Sequence, residues 1–239
     1  MTGAPVPAAL RTVAVLRRYP VKAMVGESLD AVTLDPRGLP GDRWYAVEDE
    51  DGYFASAKRT PRFRRRDAVF DFAAATIGSE VWVRRGSEQW QVGDPVLDKT
   101  LTAALGVPVT VTPERDVPHQ DAGQISLVGT ASLRWCEDHL GVDADPRRLR
   151  ANIVVSTGEP FVEESWLGRH LAVEEAELTV VRRIQRCRTV NLAQDGLAAP
   201  TRLLTALGAT RELCLGVYAD VAAPGRIAVG SAVRPSGRW

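Results

Sequence analysis

A mainly β protein of the α+β class is the fold this sequence predicts, from two observations. Short alternating segments punctuated by turn residues fill the first half, and helical periodicity appears only from about Asp98 onward. No repeat of fixed period and no Gly/Ser-rich or Pro-rich linker divides the chain. The stretch Val109–Gly123, rich in charge and proline between two patterned regions, predicts a soft boundary that separates residues 1–115 from 116–239.

In chain order, Thr12–Leu16 is β-branched and apolar and predicts a strand. Pro36-Arg37-Gly38 then marks a turn before Gly41-Asp42-Arg43. Arg43–Val47 and Tyr53–Ala57, separated by the acidic turn Asp49–Gly52, predict a hairpin. A second hairpin joins Val81-Trp82-Val83 to Gln89–Val92 across Arg85-Gly86-Ser87. Asp98–Leu105 puts Leu101, Ala104 and Leu105 on one helical face and stops at Gly106-Val107-Pro108. Thr130–Gly141 predicts a second helix, with Thr130 as N-cap, Leu133, Cys136 and Leu140 on its apolar face and Gly141 as its stop. Thr201–Leu207, ended by Gly208, is the third. Strand-like runs lie at Asn152–Val155, Leu171–Val173, Leu178–Ile184 and Gly216–Val221, and a Pro224-Gly225 turn leads into Arg226–Val229.

Composition excludes several classes. The 239 residues carry 30 Lys+Arg against 30 Asp+Glu, so the positive excess that general nucleic-acid binding needs is missing. No apolar run is long enough to span a bilayer. Arg11 interrupts the N-terminal apolar stretch, which also lacks a basic lead, so a cytoplasmic location with no membrane association is expected. Cys136, Cys187 and Cys214 are odd in number and scattered, a poor basis for a disulfide framework.

There is no Walker loop, Gly-rich dinucleotide fingerprint, HExxH or GxSxG motif. Cys136 and His139 have metal-ligand spacing but no second pair, so an inward-packed Cys136 is the better reading. His119 and His170 read as turn or surface residues. Cys187 differs, because Arg182, Arg183, Arg186 and Arg188 crowd it. Nearby cations favour a thiolate, the form that acts as nucleophile or soft-metal ligand. A small buried residue beside solvated arginines fits the same composition. Lys22, Arg43, the run Arg62–Arg66, and Arg147, Arg148 and Arg150 before Asn152 are anion-site material or solvated charge.

An ordered set of segments resembles one family over nearly the whole chain. Leu16-Arg-Arg-Tyr-Pro-Val-Lys22, Gly38-Leu-Pro-Gly-Asp42-Arg43-Trp44 and Ser56-Ala-Lys-Arg-Thr-Pro61-Arg-Phe63 look like the N-terminal β-barrel region of MOSC proteins. Ser126–Leu133, Arg150–Val155, Phe161–Trp166, Arg186-Cys187 through Asp195-Gly196, and Gly216–Gly230 resemble the MOSC domain that follows it. That family includes the mitochondrial amidoxime reducing component and its bacterial relatives, and the domain also closes molybdenum cofactor sulfurases. The resemblance implies an N-terminal β-barrel region packed on a MOSC β-barrel with peripheral helices, and a cofactor site between them.

It further implies that Cys187 is the catalytic residue and the ligand of molybdenum in a pterin-bound molybdenum cofactor. Lys22, Arg43, Arg150, Asn152 and Arg186 would then hold the pterin and its phosphate. The chemistry suits these roles: a soft thiolate for the metal, cations for phosphate, an amide for pterin edges. The implied activity is reduction of small N-hydroxylated substrates, with electrons from a separate flavin or iron–sulfur donor protein. The alternative is a sulfur carrier or transferase, or a molybdenum cofactor carrier, working through Cys187. The sequence departs from the pattern at Ala23, where some members have Ser, at Ile184, where some have a second Cys, and at Thr189-Val190-Asn191 in the cysteine loop. It also lacks the four-cysteine set of a plant-type iron–sulfur domain that some relatives carry.

Overall fold

The computed structural model describes residues 11–198 and 202–236. Its largest unit is an eight-stranded sheet in the order Val233–Ser236, His170–Val173, Ala176–Gln185, Cys214–Ala223, Ile125–Gly129, Ile153–Val155, Val13–Arg18, Glu27–Leu29. Hydrogen bonding also runs from the last chain segment back to the first. Thr12 bridges Ala232, and Val233 N–H donates to Arg11 O at 2.8 Å.

Both faces of the sheet centre are buried, and the period of two in a strand sorts the side chains. Leu127, Ile153 and Val155 enter one core with Leu16, Leu178 and Val217. Val128 and Val154 enter another, roofed by Cys136, Leu149 and Leu207. Ile125–Gly129 runs parallel to Ile153–Val155, which requires a crossover. Helix Thr130–Leu140 and the short helix Pro146–Leu149 supply it. This burial on both faces explains why Ile125–Gly129 shows no alternation in sequence.

The rest of the first half forms smaller sheets around its own core of Val21, Met24, Val47, Phe72, Val83, Leu97 and Leu101. One runs Val109–Pro113, Tyr45–Asp49, Phe54–Ser56, Phe63–Arg65, and another Ala73–Ile77, Glu80–Arg85, Glu88–Gln91. Both predicted hairpins are present. Among the described residues these strands make separate sheets rather than one continuous barrel. A further pair joins Ala31–Leu34 to Gly225–Ala228. The mainly β class is as expected, and no helix among the described residues is long and apolar enough to cross a membrane.

The helices differ from expectation at their ends. The first spans Pro95–Leu105, starting earlier than the apolar pattern, because Asp94 accepts the Val96 N–H at 2.8 Å and Pro95 fits the first helical position. In the second, Gly129 is the N-cap and Thr130 lies inside the helix, its hydroxyl accepting from Thr157 N–H at 3.0 Å. The third runs Leu203–Arg211 straight through Gly208, and its predicted start at Thr201 lies outside the described residues. A single glycine costs a helix only about 1 kcal/mol, less than the burial of Leu203 and Leu207 provides.

Candidate functional site

A narrow cleft, partly open to solvent, lies where the two halves meet. Lys22, Arg43, Arg150, Asn152, Arg186 and Cys187 all line it, although they are spread over 166 positions of sequence from 22 to 187. Each is delivered by local chain chemistry. Lys22 follows the first strand Val13–Arg18, and its neighbour Ala23 takes a left-handed backbone at φ 68°. Arg43 (φ 57°) and Arg150 (φ 52°) are left-handed too, a conformation that non-glycine residues adopt sparingly and that collects at functional sites. Arg150 ends the four-residue helix Pro146–Leu149, which Asp145 caps by accepting the Arg147 N–H at 2.8 Å.

The cations differ in what they have left to offer. Arg43 pairs with Asp42 and reaches Arg150 O at 3.3 Å. Arg150 lies over the Tyr19 ring at 4.3 Å and donates to Met24 O at 2.7 Å, yet its buried Nη2 has no partner. Arg186 donates to Leu215 O at 2.7 Å and Leu149 O at 2.9 Å, and its Nη2 is likewise buried without a partner. Burial pushes both guanidiniums down to about 10, still charged at neutral pH. Buried unpaired donors are costly, and two of them belong to residues that line this one cleft.

Lys22 donates to His119 O at 2.7 Å and to Asp121 Oδ1 at 2.9 Å, and burial pushes its ammonium down to about 8. Asp121 Oδ2 also receives Lys58 Nζ at 2.9 Å. Burial opposes ionisation of Asp121, but the two ammoniums hold its carboxyl far below the usual carboxylate range. Asn152 braces the scaffold, with Oδ1 2.8 Å from Ser126 Oγ and accepting Ser126 N–H at 3.1 Å, while Nδ2 donates to Arg17 O at 3.2 Å.

Cys187 is half-buried, with Sγ 3.2 Å from Thr189 Oγ1. Three of its four flanking arginines serve elsewhere. Arg182 covers Tyr218, Arg183 pairs with Glu164 and Glu212, and Arg188 makes a two-pronged pair with Asp67 at 2.7 and 2.6 Å. The charge around the cleft comes instead from residues distant in sequence. The run Arg62–Arg66 does not line it: Arg64 covers Tyr53, while Arg65 and Arg66 pair with Asp67 and Asp49.

Sequence reasoning missed Lys58, Asp121, Ser126 and Tyr218, which also line the cleft. Lys58, Ser126 and Tyr218 stand in segments that carry the family resemblance, a signal from which all three could have been drawn. His119 is a correction: it is a fully buried residue, edge-on to Phe54 at 4.7 Å, not a surface one. Cys136 is buried, with its thiol pushed up to about 11 by burial, and His139 stacks on Trp135 at 4.9 Å. Among the described residues no cluster of three or more His, Cys, Asp or Glu could hold a metal ion.

The model of the MOSC domain matches residues 114–234, and that of the MOSC N-terminal beta barrel domain matches residues 10–78. The chain belongs to the MOSC family. It is 24% identical to a molybdenum cofactor sulfurase of Danio rerio over 84% of this chain and 31% of that protein. It is also 24% identical to one of Oryza sativa subsp. japonica, over 74% and 28% respectively. The chain therefore spans about a third of the length of these relatives. The YuaD protein from Bacillus subtilis shares the fold, at a TM-score of 0.50 and 18% identity over 93% of both chains. Within this MOSC chain three departures reach the cleft wall: Ala23 and Ile184, both buried and apolar, and the cysteine loop through Thr189 and Val190.

Proposed function

We propose that the cleft binds a molybdenum cofactor through Cys187 and that the protein is an oxidoreductase acting on small N-hydroxylated substrates. The observation that supports this reading best is the pair of orphaned guanidinium nitrogens, Arg150 Nη2 and Arg186 Nη2, in a cation-lined cleft that also holds a half-buried thiol. An anionic phosphate with hydrogen-bond acceptors fits the arginines, and a soft metal fits the sulfur. Bound there, the cofactor supplies two-electron oxygen-atom chemistry at its metal.

The chain's own residues do the rest. Arg150 and Arg186 hold acceptor atoms in the buried part of the cleft, and Arg43 adds charge beside Arg150. Asn152 and Ser126 lock the backbone that presents Arg150, since Ser126 Oγ lies 3.1 Å from Arg150 O. Cys187, half-buried in the cleft lining, supplies the sulfur that would hold the metal. In this reading the electrons come from a separate flavin or iron–sulfur protein, as the family resemblance implies.

The similarity to molybdenum cofactor sulfurases favours a second reading, in which Cys187 carries sulfur as a persulfide or the cleft hands on the cofactor. Cofactor-loaded protein incubated with a small amidoxime decides between them. The first reading expects turnover with a reduced viologen dye and none with NAD(P)H alone. Turnover with NAD(P)H alone contradicts the separate donor. No turnover with either, together with cyanide-releasable sulfur that is lost in Cys187→Ala, supports the carrier.

A further inference from the structure

The hydrogen bonds of Lys22 leave little for a ligand. An ammonium has three donors. Two are taken by His119 O at 2.7 Å and Asp121 Oδ1 at 2.9 Å, and the Phe63 ring, centred 4.5 Å from Nζ, covers a further side. The second Asp121 oxygen holds Lys58 at 2.9 Å. Asp121 thus sits in the cleft wall as the shared counter-ion of two cations, one of them the Lys22 that the family resemblance places on the cofactor. A phosphate beside it would put a second anion on the same two ammoniums, of which Lys22 is buried while Asp121 is part-exposed, and like charges sharing those partners repel.

The segment that carries Asp121 is an irregular connection. It connects Val109–Pro113 to Ile125–Gly129 without regular pairing of its own. Side chains pin it down: Arg62 donates to Pro118 O at 2.9 Å and Asp121 O at 3.4 Å, and Glu114 accepts the His119 N–H at 2.8 Å.

We infer that Asp121 is a displaceable internal counter-ion: a phosphate-type anion entering the cleft takes its place on Lys22 and Lys58 and loosens segment 114–124. This rests on the reading of the cleft as the site of an anionic cofactor, and it assigns Lys58 and Asp121 roles in admitting the anion. No bond is made or broken. Lys22 and Lys58 exchange one anionic partner for another.

The test uses cofactor-free protein and inorganic phosphate at pH 7.5 and fixed ionic strength. Calorimetry on Asp121→Asn is expected to give phosphate binding at least about fivefold tighter than wild type, a gain lost again when Lys58→Met is added. Glu177→Gln, which removes an exposed carboxylate paired with His170 away from the cleft, controls for net charge and is expected to change affinity less than about twofold. Hydrogen exchange on wild-type protein covers the case of an unstable variant: saturating phosphate is expected to speed exchange across residues 114–124. Weaker or equal binding in Asp121→Asn, no detectable phosphate binding in either protein, or slower exchange of the segment with phosphate would each overturn the inference. Phosphate displacement in a protein that never retains molybdenum would sink the proposed function and leave this inference standing.

Discussion

Lys22 is where charge, burial and ligand binding meet most directly. Its ammonium, pushed down to about 8, loses its proton as pH rises through that value, so anion binding in the cleft weakens from pH 7 to 9. Sulfate, whose charge is constant over this range, is expected to bind about tenfold more weakly at pH 9 than at pH 7. Lys22→Arg, which stays protonated, should keep its affinity, and an equal loss in that variant would contradict the role of Lys22. Folding responds with the opposite sign. The unfolded lysine keeps its proton up to its ordinary 10.5, so between about 8 and 10.5 the unfolded chain binds more protons, and this group's contribution to stability rises with pH. Gly216 makes a second prediction. At φ 78°, a Cβ there would stand 2.6 Å from Leu127 O and 3.1 Å from Arg186 Nη2. Gly216→Ala is expected to cost about 1–3 kcal/mol in denaturant unfolding and to displace Arg186. A neutral result would mean that the strand shifts freely. The chemistry of these residues was legible in the sequence, but their pairing was not. Lys22 and Asp121 are 99 positions apart, and no local pattern joins them.

Among the elements, the loop that follows Cys187 is fixed by arginines rather than by sheet hydrogen bonds. Arg17 pairs with Asp195 at 2.5 Å, Arg147 donates to Asp195 O at 2.9 Å, Arg148 donates to Leu192 O at 3.2 Å, and Arg188 grips Asp67 in the other half of the chain. The Arg188–Asp67 pair is the tie nearest the thiol, and both side chains are part-exposed, so its stability contribution is small. Asp67→Asn is therefore expected to change unfolding free energy by less than about 1 kcal/mol while raising the rate at which an aromatic disulfide reagent modifies Cys187 several-fold. An unchanged rate would show that the tie does not position the loop. The dense arginines around Cys187 were visible in sequence, yet composition could not say which face the thiol and which serve as fasteners. Strands with clear turn chemistry, such as Glu80–Arg85 with Glu88–Gln91, were readable. Ile125–Gly129, buried on both faces, and Val109–Pro113, which ends in proline, were not.

For the whole molecule, the cleft exists only because two separately packed cores meet. Lys22, Arg43 and Lys58 come from the first half and Arg150, Arg186 and Cys187 from the second. The ordered family segments made this assembly foreseeable, since all of them but Phe161–Trp166 contribute part of the lining, whereas the carboxylate between Lys22 and Lys58 emerged only in three dimensions. The central claim is that Cys187 and this cationic cleft together retain a molybdenum cofactor. Molybdenum and released-pterin content, measured on wild type and Cys187→Ala from a host able to make the cofactor, test it most directly. The account predicts near-stoichiometric metal and pterin in wild type, and loss of metal in a Cys187→Ala protein whose unfolding midpoint is unchanged. A wild-type protein free of both, or a variant that keeps its metal, would contradict it.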